Sequence, residues 1–68
     1  MRRLIGVVSP PYPSMDVYED DGVESVCVDI IPDPANLAEA GYRLGREIPC
    51  GLGSRAWALT RTHTKNHA

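Results

Sequence analysis

Apolar residues predict one strand near the start of the chain and another near its end. Positions 4–8 are an aliphatic run rich in β-branched residues, and the run stops at Ser9 and the two prolines that follow it. Positions 56–62 follow a Gly-rich bend and alternate large side chains with small or polar ones, which is the period of a half-buried strand. We therefore expect a first strand at 4–8 and a closing strand at 56–62.

The Asp-Gly dipeptide at 21–22 separates two patterned segments and predicts a β-hairpin with a two-residue turn. Pairing Asp20 with Val23 fixes the register of the two strands. It also sets Glu19 directly opposite Glu24, and like charges in that relationship destabilise a strand pair. The same register predicts a core face made of Met15, Val17, Val26, Val28 and Ile30.

A helix is predicted to follow the hairpin and to end before Pro49. Asp33 followed by Pro34 is typical of a helix start, and a capping box at 36–39 offers a second start three residues later. The residues with helical spacing that would form its buried stripe are Leu37, Ala40, Gly41, Leu44, Gly45 and Ile48.

Two glycines one turn apart, Gly41 and Gly45, would each cost a helix about 1 kcal/mol relative to alanine. Their presence predicts that something packs very close to the helix there. Two partners fit this interpretation, the protein's own sheet and a second helix across a dimer seam.

Together these elements predict a small single α+β domain over residues 1–62, in the order β-β-β-α-β. One helix would pack on a three- or four-stranded sheet with a central β-hairpin. The polar residues 63–68 are expected to form a flexible tail. A chain of 68 residues buries only about 60% of its unfolded surface, so a homodimer or an obligate partner is also expected.

Charge is segregated along the chain. All seven lysines and arginines lie outside positions 4–42, whereas eight of the nine carboxylates lie inside that span. Seven of these carboxylates crowd between positions 16 and 33 with no cation to pair with locally. The formal net charge of −2 therefore hides a concentrated negative field on one part of the protein.

A dense carboxylate patch can imitate the phosphates of a nucleic acid and steer a protein toward a basic groove. The sequence therefore predicts a small non-enzymatic protein-binding module, of the class of phage-type or anti-defence inhibitors. It would occupy the basic, nucleic-acid-binding surface of a partner protein. The partner-binding residues expected are Asp16, Tyr18, Glu19, Asp20, Asp21 and Glu24, with the tyrosine as an aromatic anchor.

Two other functions remain open at this point. The first is nucleic-acid binding, although the sequence pI of about 5.5 argues against it. The second is self-assembly, in which the acidic hairpin of one copy meets the arginines of another. The residues that would bind nucleic acid are Arg43, Arg46, Arg55, Arg61 and Lys65.

Candidate catalytic and metal-binding patterns are weak. His63 and His67 have the spacing of zinc ligands on a helix, but no helical pattern surrounds them. Cys27 and Cys50 lack the paired short spacing of zinc sites and are interpreted as unpaired thiols, buried or half-buried. The loop at 50–55 has the composition of a phosphate cradle but leads from a helix into a strand, the reverse of nucleotide-binding loops. We expect no enzymatic activity, no metal and no cofactor.

No apolar run approaches the roughly 20 residues that a membrane-spanning helix needs. We therefore expect a cytoplasmic protein without a membrane partner.

Overall fold

Five antiparallel strands form one sheet in the computed structural model, which describes residues 2–51 and 53–62. The strands are β1 (Arg3–Val8), β2 (Met15–Asp20), β3 (Ser25–Ile31), β4 (Tyr42–Ile48) and β5 (Arg55–Arg61). Their order across the sheet is β3-β2-β1-β5-β4, so β3 and β4 are the two edges and β1 pairs with β5 at the centre. The predicted first and closing strands are confirmed as β1 and β5. The predicted tail at 63–68 lies outside the described residues.

The predicted helix is absent from the described residues, so the α+β prediction is wrong and the domain is nearly all β. The capping carboxylate does act as expected, because Asp33 Oδ1 accepts a hydrogen bond from the Ala35 N–H at 3.0 Å. Only a short 3₁₀ turn, Pro34–Asn36, follows this cap. The connection that follows the 3₁₀ turn ends at Gly41, which takes a φ of 97°. There the Tyr42 N–H donates a hydrogen bond to the Leu37 carbonyl at 3.1 Å. The segment beyond becomes β4, because pairing with β5 supplies backbone partners on both sides of a register shift between Leu44 and Glu47.

Without a helix, the predicted helix-to-helix dimer seam at Gly41 and Gly45 has no basis. Gly45 lies within β4, where the pairing with β5 shifts register between Leu44 and Glu47. A Cβ atom on Gly45 would lie 2.8 Å from the carbonyl oxygen of Ala58. The close approach at Gly45 is therefore to the neighbouring strand of the same chain.

The β2–β3 hairpin exists, but its turn is longer than predicted. Asp20 pairs with Ser25, which leaves four residues in the connection. Asp21 Oδ1 organises this turn by accepting hydrogen bonds from the N–H groups of Val23 at 2.8 Å and Glu24 at 3.0 Å. A carboxylate that binds its own following backbone in this way stabilises the longer loop over the two-residue turn.

A β-bulge interrupts the same hairpin near its middle. Tyr18 lies opposite Cys27, whereas the preceding Val17 lies opposite Asp29, so Val28 is an extra residue on β3. A bulge of this kind reverses the alternation of inward and outward side chains along the strand that contains it.

The core-face prediction is therefore correct on β2 and wrong on β3. Met15 and Val17 are almost fully buried, at 2% and 0% exposure. Glu19 lies opposite Val26, so the predicted opposition of Glu19 and Glu24 is wrong. The β3 residues that were expected in the core but are exposed are Val26, Val28 and Ile30.

The sheet curls around one core, and its edges meet across it. Neighbouring strands lie about 4.8 Å apart, so the two edges of a flat five-stranded sheet would be about 19 Å apart. Yet the Tyr42 hydroxyl on β4 donates a hydrogen bond to Asp29 Oδ2 on β3 at 2.9 Å. Leu37, which follows the 3₁₀ turn, packs into the core between these edges. The buried cluster consists of Leu4, Met15, Val17, Ile31, Leu37, Tyr42 and Leu59.

No helix among the described residues is long and apolar enough to cross a membrane.

Candidate protein-interaction surface

Asp20 is held at the end of β2 by three donors. Its Oδ1 accepts hydrogen bonds from Ser25 Oγ at 3.0 Å and from the Gly22 N–H at 3.4 Å. Its Oδ2 accepts one from Arg3 Nε at 3.3 Å. The hydrogen bond from Ser25 is the largest of the effects that lower the pKa of Asp20 from its ordinary value.

Asp21 has a similar role within the turn. The N–H groups of Glu24 and Val23, in that order of effect, lower the pKa of its carboxyl group because they bind the charged form. Asp20 and Asp21 were both predicted to contact a partner. Their hydrogen bonds show that both also shape the hairpin tip.

Glu19 is also paired, because the fold brings Arg2, which precedes β1, and Arg61 of β5 close to the end of β2. Arg2 Nη1 lies 3.1 Å from Glu19 Oε1, and Arg61 Nη2 lies 3.7 Å from Glu19 Oε2. With the contact from Arg3 to Asp20, three arginines therefore border the carboxylates of β2. The acidic cluster has no cation nearby in the sequence, but the fold brings these three arginines to it from outside positions 4–42, although exposed pairs of this kind add little to stability.

Two carboxylates of the predicted set keep their charge unpaired. Among the described residues, Asp16 and Glu24 have no lysine or arginine within 4.0 Å and no side-chain hydrogen bond. Asp16 lies on β2 opposite Ile30, and Glu24 precedes β3 at the tip. Both therefore flank β3.

Exposed apolar side chains concentrate on β3 and its turn. Val23, Val26, Val28 and Ile30 are 92%, 52%, 43% and 59% exposed. The other large apolar side chains with comparable exposure in the described chain are Tyr12 and Leu44, which lie elsewhere in the fold. Val26, opposite Glu19, and Ile30, opposite Asp16, lie on opposite faces of the sheet, so the apolar side chains flank the edge strand on both sides. An edge strand of this kind is a site where another chain can add.

The two edges of the sheet differ in how they are protected. The β4 edge carries Arg43, Arg46 and Glu47 and has its own register shift, which are features that discourage the addition of another strand. The β3 edge, 25–31, contains no lysine, arginine or proline. Its protective features are the bulge at Val28 and the charged side chain of Asp29, which points toward the core side.

Tyr18 lies half-buried on the face of the sheet opposite the core. It pairs with Ile5 on one side and Cys27 on the other. Together with Val7 and Ser25, Tyr18 and Ile5 line a shallow open groove. Tyr18, the predicted aromatic anchor, therefore lies next to β3, but its side chain is half-buried rather than fully exposed.

The arginines expected to bind nucleic acid do not gather on one face. Arg55 is held by Glu47 through two hydrogen bonds of 2.9 Å and lies over the Trp57 ring, 5.0 Å from its centroid. Those hydrogen bonds lower the pKa of Glu47. Arg43 and Arg46 lie on β4, at the edge opposite the acidic hairpin. Lys65 lies outside the described residues.

Cys27 and Cys50 are both free and exposed, so the prediction that they are buried or half-buried is wrong. Within residues 2–51 and 53–62, no group of three or more histidine, cysteine or acidic side chains is close enough together to hold a metal ion. His63 and His67 lie outside the described residues.

The apolar residues of β3 are the part of this surface that the sequence prediction missed. They were assigned to the core because the turn was taken as two residues and the strand as regular. The signal that favours the longer turn is the pair of consecutive aspartates before Gly22, since the second can bind the backbone that follows it. No comparable signal marks the bulge.

No protein-family model matches the chain, and no curated protein or solved structure is detectably similar to it.

Proposed function

We propose that the chain is a non-enzymatic protein-binding module whose contact element is the β2–β3 hairpin. The partner is a protein with a basic surface. The observation that carries the proposal is the coincidence, on one hairpin, of four exposed apolar side chains with two carboxylates, Asp16 and Glu24, that have no lysine or arginine within 4.0 Å in residues 2–51 and 53–62.

The two kinds of side chain have different roles in such a contact. Apolar groups that lose water on binding supply most of the affinity of an interface, and a few of them usually dominate. Carboxylates at the rim steer the partner and make association fast and dependent on salt. Val26 and Ile30 are suited to the first role, and Asp16 and Glu24 to the second.

The contact set is narrower than the acidic cluster of the sequence. Glu19 and Asp20 are bordered by arginines and Asp21 is bound to its own turn, so we assign these three to support of the hairpin. Less charge then remains for imitation of nucleic-acid phosphates. An inhibitor that blocks a nucleic-acid-binding site is one form of the proposed module, provided that it uses apolar contacts as well.

We also propose a reducing compartment such as the cytoplasm. Cys27 and Cys50 are both exposed and unpaired, and exposed free thiols are most compatible with a compartment that keeps them reduced.

A capture experiment from lysate of the native host tests the function. Tagged protein is compared with two variants of the hairpin, Val26→Thr with Ile30→Thr, and Asp16→Asn with Glu24→Gln. Leu44→Thr, on the other edge, and Glu39→Gln, in the connection before β4, are matched controls because both residues are exposed. Captured proteins are quantified by mass spectrometry at two salt concentrations on either side of about 0.15 M.

We expect the unmodified protein and both controls to capture the same basic protein. The variant Val26→Thr with Ile30→Thr should reduce this capture about tenfold, because it removes roughly the binding free energy of one interface anchor. The charge variant should weaken capture at low salt and flatten its salt dependence. Equal capture by all variants would overturn the proposal.

A further inference from the structure

We propose that β3 binds an extended segment of its partner as an added strand, and that this segment alternates aliphatic residues with lysine or arginine. The inference rests on the proposed function, because it names how the β2–β3 hairpin would hold its partner.

The backbone of β3 is available for such a contact. The sheet ends at β3, and no described strand pairs with its outer side. In an antiparallel ladder each strand directs its N–H and C=O groups alternately to its two neighbours. About half of the backbone groups of 25–31 therefore point away from β2, as a template for another strand.

The bulge limits where a regular strand can be added. Val28 interrupts the ladder, so the regular stretch next to the hairpin tip is Ser25–Cys27, with Val26 at its centre. A partner segment of three to five residues fits this stretch. Successive side chains of that segment point to opposite faces of the sheet, so its aliphatic side chains would lie on the face of Ser25 and Cys27, next to the groove lined by Ile5, Val7 and Tyr18.

The carboxylates beside β3 determine which polar side chains the partner segment should carry. The cleft beside Val26 is lined by Glu19, Asp21, Glu24 and Arg2. Glu19 is paired with Arg2 and Arg61 and Asp21 is bound to its own turn, so Glu24 is the carboxylate left to attract a partner's cation. Opposite charges across a strand pair stabilise it, and like charges destabilise it. The segment that fits this edge therefore presents lysine or arginine toward the cleft.

A second copy of the chain fits this edge less well. Two copies paired through β3 would bring the carboxylates of both hairpins into one interface, including Glu24, which lacks a cation within the described residues. The β4 edge of a second copy does offer Arg43 and Arg46, but its ladder is broken between Leu44 and Glu47.

Labelled seven-residue peptides test the mode of binding with the intact protein. The probe alternates lysine and valine. One control contains the same residues in two blocks, a second replaces lysine with glutamate, and a third carries N-methyl groups on alternate residues, which removes hydrogen bonds along one edge. Binding is followed by fluorescence anisotropy, and amide hydrogen exchange locates the contact.

We expect the alternating basic peptide to bind and to slow amide exchange within 25–27. Each control should bind about tenfold more weakly or worse. If the blocked or the N-methylated peptide bound as tightly as the alternating probe, charge attraction alone would explain the binding. That result would overturn strand addition. So would protection at β4, or a peptide-free protein that sediments as a dimer with β3 amides protected.

The two proposals can fail separately. If the lysate partner depends on Val26 and Ile30 but does not slow exchange within 25–27, strand addition is wrong and the binding module stands. If no partner depends on the hairpin, the proposed function fails whatever the peptides do.

Discussion

The Tyr42 hydroxyl donates a hydrogen bond of 2.9 Å to Asp29 Oδ2, and this contact joins the two edge strands of a five-stranded sheet. Tyr42 is also part of the buried core. One side chain therefore helps both to fill the core and to keep the sheet curled.

Replacing Tyr42 with phenylalanine should lower the free energy of unfolding by about 1–2 kcal/mol. The change keeps the ring in the core but removes a hydrogen bond to a carboxylate, whose oxygen is left without that donor. Urea denaturation measures the effect, with Tyr12→Phe as the control because Tyr12 is 70% exposed. Equal stability of the two variants would show that the edge contact contributes nothing.

The same contact predicts a loss of stability at high pH. Burial, and then the hydrogen bond to Asp29, raise the pKa of Tyr42 above its ordinary value of 10.0. A raised folded-state pKa gives stability that is fully present below pH 10 and is lost as the pH rises through the folded-state value. Between pH 9 and 12, unfolding free energies should therefore fall more steeply for the unmodified protein than for Tyr42→Phe. Parallel profiles would contradict this.

The hairpin tip should lose stability at low pH for the opposite reason. The pKa values of Asp20 and Asp21 are lowered from 3.8 by hydrogen bonds to their charged forms. A lowered folded-state pKa gives stability that is present above the ordinary value and is lost as the pH falls through the folded-state value. A double variant, Asp20→Asn with Asp21→Asn, should show a flatter decline below pH 4 in acid unfolding followed by circular dichroism. Asp33→Asn, which lies outside the hairpin, is the comparison.

Gly45→Ala should destabilise the folded monomer. A Cβ atom there would lie 2.8 Å from the Ala58 carbonyl oxygen, and the strands would have to shift at a cost of about 1–3 kcal/mol. Thermal unfolding measures the loss, and sedimentation measures the mass. If the variant instead kept its stability and changed its oligomeric state, Gly45 would have to face another molecule.

Local signals in the sequence predicted the parts of the fold that depend on neighbouring residues. The run at 4–8, the alternation at 56–62 and the turn at 21–22 are each read from a few positions, and each has its element in the structure. The cap at Asp33 also forms.

The parts that failed depend on residues far apart in the chain. The spacing of Leu44 and Ile48 fits both a helical stripe and one face of a regular strand, and only the pairing of β4 with β5 decides between helix and strand. Likewise, the arginines beside Glu19 and Asp20 come from the start of the chain and from Arg61, and only the neighbours of β2 bring them there. The sequence therefore predicts a candidate site on the hairpin, but which of its carboxylates stay free of arginines depends on the fold.

The pairing of β1 with β5 also sets the order in which the fold can assemble. The β2–β3 and β4–β5 hairpins are local and need only short loops to close, but they belong to opposite halves of the sheet. They become one structure only when the first described strand meets the last, across about fifty residues of chain, and contacts of such separation slow folding. We therefore expect the pairing of β1 with β5 to limit the rate of folding. A chain that still lacks β5 has no complete core.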